Sequence, residues 1–353
     1  MTNVVIAYES HDNERPRQSY KTRAGSNTNP PTSSSPHNTT MTKLKKIILI
    51  GASGSIGTPI LEALIRAKSS FDAIAILTRP SSAPQFDKIS SEHGIKILTV
   101  ASYDNTSDLT AVFAGYDTVI AALGAAALDT QLKLIDAAVA AGVERFYPSE
   151  FGTATDSPAL GDEPIFADKR KIQAYLLRQA SSSSSSTNNN KLSFTALQTG
   201  SFADWALANG FIGFDINAKT AKFIDDGTAV ASFTSLRDIG DATVTSLLHP
   251  DASKNAFIRV QGFAASQQDI LKVLESETNS KWKVTKTPIS DVLKRADEAL
   301  EKKDFTTYAV SRIQAVLWGG NGAFEKDEIS NQKIGWAPKD DLHAVVKQVL
   351  ASK

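Results

Sequence analysis

Short unbroken apolar runs recur along the chain, at Lys46–Ile50, Ala73–Thr78, Lys96–Val100, Thr118–Ala122, Val143–Tyr147 and Ser193–Leu197. They are rich in Ile, Val and Phe, as strands covered on both faces should be. Between them apolar residues return at helical spacing, predicting helices over about 56–68, 107–114, 129–141 and 164–179, the third closed by Gly142 as a C-cap. Strand and helix in alternation predict the α/β class, with a doubly wound parallel sheet.

Beyond residue 200 the alternation fades. Residues 222–224 and 230–234 read as a hairpin around Asp225, Asp226 and Gly227. Helices are expected near 237–248, 267–276, 289–302 and 339–351. This half is expected to form a smaller mixed α/β substrate lobe at the carboxyl edge of the sheet, where open α/β folds place their ligands. The expected organisation is therefore a tail over 1–42, the α/β domain over 43–200, and a lobe over 201–353 interleaved with it. The only apolar run of the tail, Val4–Ala7, is too short for a secretory core or a membrane span, and the remainder is too polar to bury a core. Disorder is the expectation; the alternative of a transit peptide, raised by Arg15, Arg17, Lys21 and Arg23, is diluted by Glu9, Asp12 and Glu14. The run Ser181–Asn190 is low in complexity and is expected to form a loose surface excursion.

The first strand runs directly into GASGSIG and then a helix. Gly51 permits a tight turn, Gly54 lets a ligand approach the main chain, and Gly57 lets the helix pack closely on the strand. Backbone amides at such a helix start favour anions, so the turn, with Ser53, Ser55 and Ile56 completing it, reads as the diphosphate cradle of a Rossmann-type dinucleotide site. The end of the second strand selects the dinucleotide. It offers Arg79, not an acid, and a planar cation suits the 2′-phosphate of NADP, with Ser81 and Ser82 nearby and Lys88 as a second, weaker candidate contact.

Composition narrows the partners. Lys plus Arg equals Asp plus Glu at 38 each, so no bulk field draws the chain to nucleic acid or to an anionic membrane. With no cysteine and five scattered histidines, thiolate chemistry is excluded and no metal is expected. Cytoplasmic residence, a small-molecule partner, and a monomer or homodimer are the corresponding expectations.

The chain resembles the NmrA-like and isoflavone-reductase-like branch of the atypical short-chain dehydrogenases, which includes the phenylcoumaran benzylic ether reductases. The resemblance rests on GASGSIG, on LTR at the end of the second strand, and above all on TQLKLIDAAVAAGVERFYPSEFG over residues 130–152. It continues through FADKRKI, LSFTALQTGSFADW and SLRDIGDA, and GSFADW and WGGNGAF resemble fungal members. No tyrosine is followed four residues later by lysine, so the acid/base pair of ordinary short-chain dehydrogenases is absent. The resemblance implies that Lys169, three residues after Phe166, takes that role and touches the cofactor, with Lys171 as the fallback. A lysine beside an apolar pocket is disfavoured as ammonium and can exchange a proton with a phenol or carbonyl oxygen. The resemblance also implies that Leu123, Gly124 and Ser149 line the cofactor and that Glu150 and Phe151 lie near the substrate. Read from its neighbours alone, Glu150 is equally a structural carboxylate for residues 152–157. Phe202 and Trp205, with Phe211 and Phe214, are candidates for an aromatic wall, though such spacing also suits plain core. One departure stands out: the reductases of the group carry an arginine four residues after the lysine, and this chain has Gln173.

Two functions follow as expectations. The first is an NADPH-dependent reductase of a small aromatic or phenolic, secondary-metabolite-like substrate. The second is a non-catalytic NADP(H) sensor that binds a protein partner.

Overall fold

In the first half of the chain strands and helices alternate as β1 (Lys46–Ile50), α1 (Gly57–Arg66), β2 (Ala73–Thr78), α2 (Asp87–His93), β3 (Lys96–Thr99), α3 (Thr106–Phe113), β4 (Thr118–Ala121), α4 (Thr130–Ala141), β5 (Arg145–Tyr147), α5 (Ala167–Ser181) and β6 (Ser193–Gln198). These come from a computed structural model that describes residues 44–124, 127–181 and 192–353. All of them lie in one compact unit, Met41–Lys353; the other unit, Met1–Thr40, lies outside the described residues, as do the expectations for the tail and for the Ser/Asn run beyond Ser181.

The remaining elements are β7 (Ser201–Phe202), α6 (Ala203–Ala208), β8 (Phe214–Asp215), β9 (Thr220–Ile224), β10 (Val230–Thr234), α7 (Leu236–Leu248), β11 (Ala256–Arg259), β12 (Phe263–Ser266), α8 (Gln267–Thr278), β13 (Lys283–Thr287), α9 (Ile289–Glu301), α10 (Phe305–Val316) and α11 (Leu342–Ala351). Among the described residues no helix is long and apolar enough to cross a membrane, and no group of three or more His, Cys, Asp or Glu could hold a metal ion.

The main sheet has seven strands in the order β11-β6-β5-β4-β1-β2-β3, every pair parallel. The unbroken apolar run of β1 is explained by its two faces. Ile47 and Leu49 enter a core with Ile60, Leu61 and Leu64 of α1 and Ile239 and Leu247 of α7. Ile48 and Ile50 enter the opposite core with Leu109, Phe113, Leu134, Ile135 and Ile172, from α3, α4 and α5. Each such isoleucine, fully buried, contributes roughly 2 kcal/mol of apolar transfer. Strand order reverses between β1 and β4, the kind of switch point where open α/β sheets bind their ligands beyond the carboxyl ends of the strands. Two elements beyond residue 200 complete this layer. β11 adds the seventh strand beside β6, and α7 packs on α1 so tightly that a Cβ on Gly240 would stand 2.2 Å from the Pro59 carbonyl.

The hairpin expected at 222–234 does not form. β9 pairs with β8 and β13, whereas β10 pairs with β12 and β7, in two separate three-stranded sheets. The physical reason is Gln267. Its Oε1 accepts from the Ile224 amide at 2.8 Å and its Nε2 donates to the Lys222 carbonyl at 3.0 Å, so the side chain takes the β9 edge that a hairpin partner needs. The β7–β10 pair begins three residues past the end of β6, which brings the smaller layers to the carboxyl end of the main sheet.

Candidate active site

The glycine turn is shaped by contact with β4. Gly51 has φ +82°, and a Cβ there would meet the Ala122 carbonyl oxygen at 2.2 Å; a Cβ on Gly57 would lie 1.9 Å from the Gly51 carbonyl oxygen. The Gly54 amide donates to Gly51 at 2.9 Å, which closes the turn, and Gly54, Ser53 and Ser55 face solvent. α1 begins without a side-chain cap, its cap residue Ile56 offering none, and no acid stands in its first turn. A helix start without a side-chain cap favours an anion, and among the described residues no acidic side chain caps this one.

Arg79 follows β2 and is exposed, with no carboxylate within ion-pair distance among the described residues. Tyr103 stands beside it. Burial raises the Tyr103 pKa, the Arg79 charge opposes that shift, and the phenol donates to the Leu77 carbonyl at 3.3 Å. Lys88, by contrast, lies on α2 and reaches Glu92 at 3.8 Å, an exposed pair along its own helix.

From the turn a chain of contacts leads to the lysine. Ala122, touching Gly51, precedes Leu123, whose amide donates to Ser149 Oγ at 3.1 Å while Ser149 Oγ donates back to the Leu123 carbonyl at 2.6 Å. The Ser149 amide in turn donates to Gln131 Oε1 at 2.7 Å. Next along the chain, Glu150 offers its carbonyl to Lys169 Nζ at 3.3 Å. Burial pushes the Lys169 pKa down from the usual lysine value, and the Glu150 charge opposes it. Gly152 leaves room above the amine, since even a Cβ there would stay 3.8 Å from Nζ.

The carboxylate of Glu150 is fully buried and accepts from Thr155 Oγ1 at 2.7 Å and Gln173 Nε2 at 3.0 Å; Gln173 Nε2 also lies 2.6 Å from Thr155 Oγ1. Gln173 therefore ties α5 to the segment after β5 as a neutral donor. Asp156 in that segment pairs with Arg259 at 2.9 Å, and Arg259 also reaches Glu328 at 2.8 Å.

Other candidates lie elsewhere. Lys171 is exposed and 3.4 Å from Asp129. Gly124 is exposed at the end of the β4 loop and Leu123 half-buried. Phe151 is buried in the core with Ala52, Ala122 and Tyr147, beneath the turn. Phe202, Trp205 and Phe211 form a row of ring contacts at 6.5 and 5.6 Å, whereas Phe214 packs inside the lobe against Phe223 and Trp282. Among the described residues no hydrogen bond or ring contact joins the row to Lys169 or Glu150.

Sequence reasoning assigned no role to Gln131, Thr155 or Gln173. A signal was present for Gln131: it stands three and four positions before Leu134 and Ile135, on the buried stripe of α4, where an amide is stable only when bonded.

The model of the NmrA-like family matches residues 43–310. Oxidoreductase aprR of Aspergillus flavus is 31% identical over 308 residues, covering 86% of this chain and 98% of that protein. Among solved structures, isoflavone reductase superposes with a TM-score of 0.73 at 20% identity, over 87% of this chain and 99% of that one. A complex of leucoanthocyanidin reductase with NADPH from Vitis vinifera gives 0.71 at 19% identity, over the same shares. With the family model matching residues 43–310, and with the glycine turn, the strand-order switch and the Pro-Ser-Glu-Phe-Gly segment in these positions, the chain belongs to the NmrA-like family.

Proposed function

We propose that the chain is an NADPH-dependent oxidoreductase that reduces a small aromatic or phenolic substrate, with Lys169 as general acid/base. The observation that carries this reading is the continuous run of contacts from the glycine turn through Ala122, Leu123, Ser149 and Glu150 to Lys169, all at the carboxyl edge of the sheet. The named oxidoreductase relative and the NADPH complex of a structural neighbour support it.

The residues fit a nicotinamide dinucleotide. The uncapped start of α1 and the amides of Ser53, Ser55 and Ile56 would hold the diphosphate, with Gly54, free of a side chain, letting it approach the turn, and Arg79 would hold the 2′-phosphate. Leu123, Gly124 and Ser149 would border the rest of the cofactor, and Phe202 and Trp205 would border the substrate, on a side that residues 201–353 would largely form; the Glu150 carboxylate, held by Thr155 and Gln173, and Phe151, packed in the core, would support that surface from behind and not touch the substrate. When bound, the cofactor supplies the hydride. Lys169 then needs only to pass one proton between Nζ and a substrate oxygen. Its desolvated amine releases that proton more readily than a solvated lysine, and the Glu150 carbonyl steers it. Ser149 holds the β4 and β5 ends together, and Gln131 fixes Ser149. The buried amine favours a catalytic role over an NADP(H)-sensing one, because a sensor gains nothing from desolvating it.

The test is NADPH fluorescence, first for binding and then for oxidation against aromatic ketones, enones and benzylic ethers. Saturable binding with turnover on a member of the panel is expected; binding with no turnover on any of them favours the sensor. Arg79→Ala should weaken NADPH by about tenfold or more and leave NADH nearly unchanged, and equal effects on the two would refute the 2′-phosphate assignment.

A further inference from the structure

α10 has two occupied faces. On one, Arg312 reaches Glu163 through two bonds of 2.8 and 2.6 Å, and Val316 packs with Leu160 and Phe166 just before the helix that carries Lys169. At 100° per residue Ser311 and Gln314 point away from that face, and they line a cavity of about 480 Å³ between α10, α9 and the β8–β9 region. None of the glycine turn, Ser149, Glu150 or Lys169 lines it. The helix thus packs on the approach to α5 with one face and borders this cavity with the other.

The volume falls in the range of small-molecule sites. The floor is apolar, from Ile212, Phe214, Val292 and Trp318, and the rim is cationic, from Lys222 and Arg295. Neither cation has a carboxylate within ion-pair distance among the described residues. Arg295 is instead held in place by neutral groups, Nε donating to Ser311 Oγ at 2.9 Å and Nη2 to Gln314 Oε1 at 3.1 Å, which leaves its charge uncompensated. The one acid of the lining, Asp215, accepts from the Ala218 amide at 2.9 Å.

We propose that this cavity is a second small-molecule site, separate from the proposed dinucleotide site, for an organic carboxylate with an apolar ring body. The body lies on the Phe214 and Trp318 floor and the carboxylate meets Arg295 and Lys222 at the rim, where guanidinium and carboxylate pair with both charge and geometry.

The test uses the full chain and 1-naphthoate as probe, followed by calorimetry with and without saturating NADP+. One saturable site is expected, indifferent to NADP+. The double variant Arg295→Gln, Lys222→Gln should weaken it at least about tenfold, as should replacing the probe by the neutral 1-naphthamide. Both cations are exposed, so the fold should persist, which near-UV circular dichroism checks; Thr307→Trp, which fills the cavity without touching charge, should abolish binding independently. No saturable binding, equal affinity for acid and amide, an unaffected double variant, or displacement by NADP+ would each overturn the proposal. The variants decide the matter even if NADP+ does not bind.

Discussion

Gly57→Ala sets two physical effects against each other. Helix propensity alone predicts a gain of up to about 1 kcal/mol, because alanine orders a helix at lower entropic cost than glycine. Packing predicts the reverse. The new Cβ would stand 1.9 Å from the Gly51 carbonyl oxygen, 2.6 Å from its carbon and 2.8 Å from Ala52 Cα, all backbone atoms that cannot swing aside. Ordinary contact begins at 3.4 Å, so the start of α1 must retreat by about 1.5 Å from the turn. Overpacking of this kind costs about 1–3 kcal/mol, which leaves a net loss of roughly 0–2 kcal/mol once the full propensity gain is set against it. The effect on the cofactor should be larger. A retreat of that size carries the amides of the helix start out of hydrogen-bond range of a bound diphosphate, and each charge-assisted bond lost weakens binding by about tenfold to a hundredfold. Urea unfolding followed by circular dichroism, with NADPH fluorescence titration, measures both. Gly54→Ala is the control: its Cβ would lie 3.3 Å from the Gly51 oxygen, so stability should change by less than about 0.5 kcal/mol while the methyl still obstructs the diphosphate. A Gly57→Ala protein at least as stable as wild type, with undiminished NADPH affinity, refutes the cradle.

Lys169→Met should abolish turnover while NADPH affinity stays within about threefold. It should also stabilise the fold at neutral pH: the native state holds the Lys169 proton less tightly than the unfolded chain, so the ammonium costs stability below its ordinary pKa. That gain should shrink as pH rises from the lowered folded-state value towards the unfolded-state value of about 10.4 and be absent above it, and a pH-independent difference in urea titrations would contradict the desolvation. Glu150→Gln removes the charge that holds the Lys169 pKa up, so the alkaline limb of kcat/KM should move to lower pH; an unmoved limb dissociates the two residues. Arg145 is buried and donates to Ser193, Thr195, Ser253 and the Pro250 carbonyl, at the opposite end of β5 from the site. Arg145→Ala should cost about 3–5 kcal/mol by urea titration, yet leave NADPH affinity unchanged in the folded protein, and a stability loss under about 1 kcal/mol would refute its structural role.

Adjacent residues carry enough information to specify some of this molecule. The run from Lys46 through Gly57 makes a strand, a turn and a helix because apolar continuity, glycines and helical spacing are local properties, and the boundaries of β1 and β2 are those read from the sequence. Arg79 at the end of β2 was visible for the same reason, and Lys169 through a motif. Which edge β9 presents was not, because Gln267 competes for it from 43 residues away. The role of Glu150 as a structural carboxylate for residues 152–157 was one of two readings its neighbours allowed, and the bond to Thr155 bears it out. Local pattern could not reveal that β11 would close the main sheet, that Gln173 would reach the same carboxylate from α5, or that α10 would border a separate cavity. Those outcomes rest on hydrogen bonds and packing between distant segments, where many partners satisfy the same residue equally well until the whole chain is folded around it.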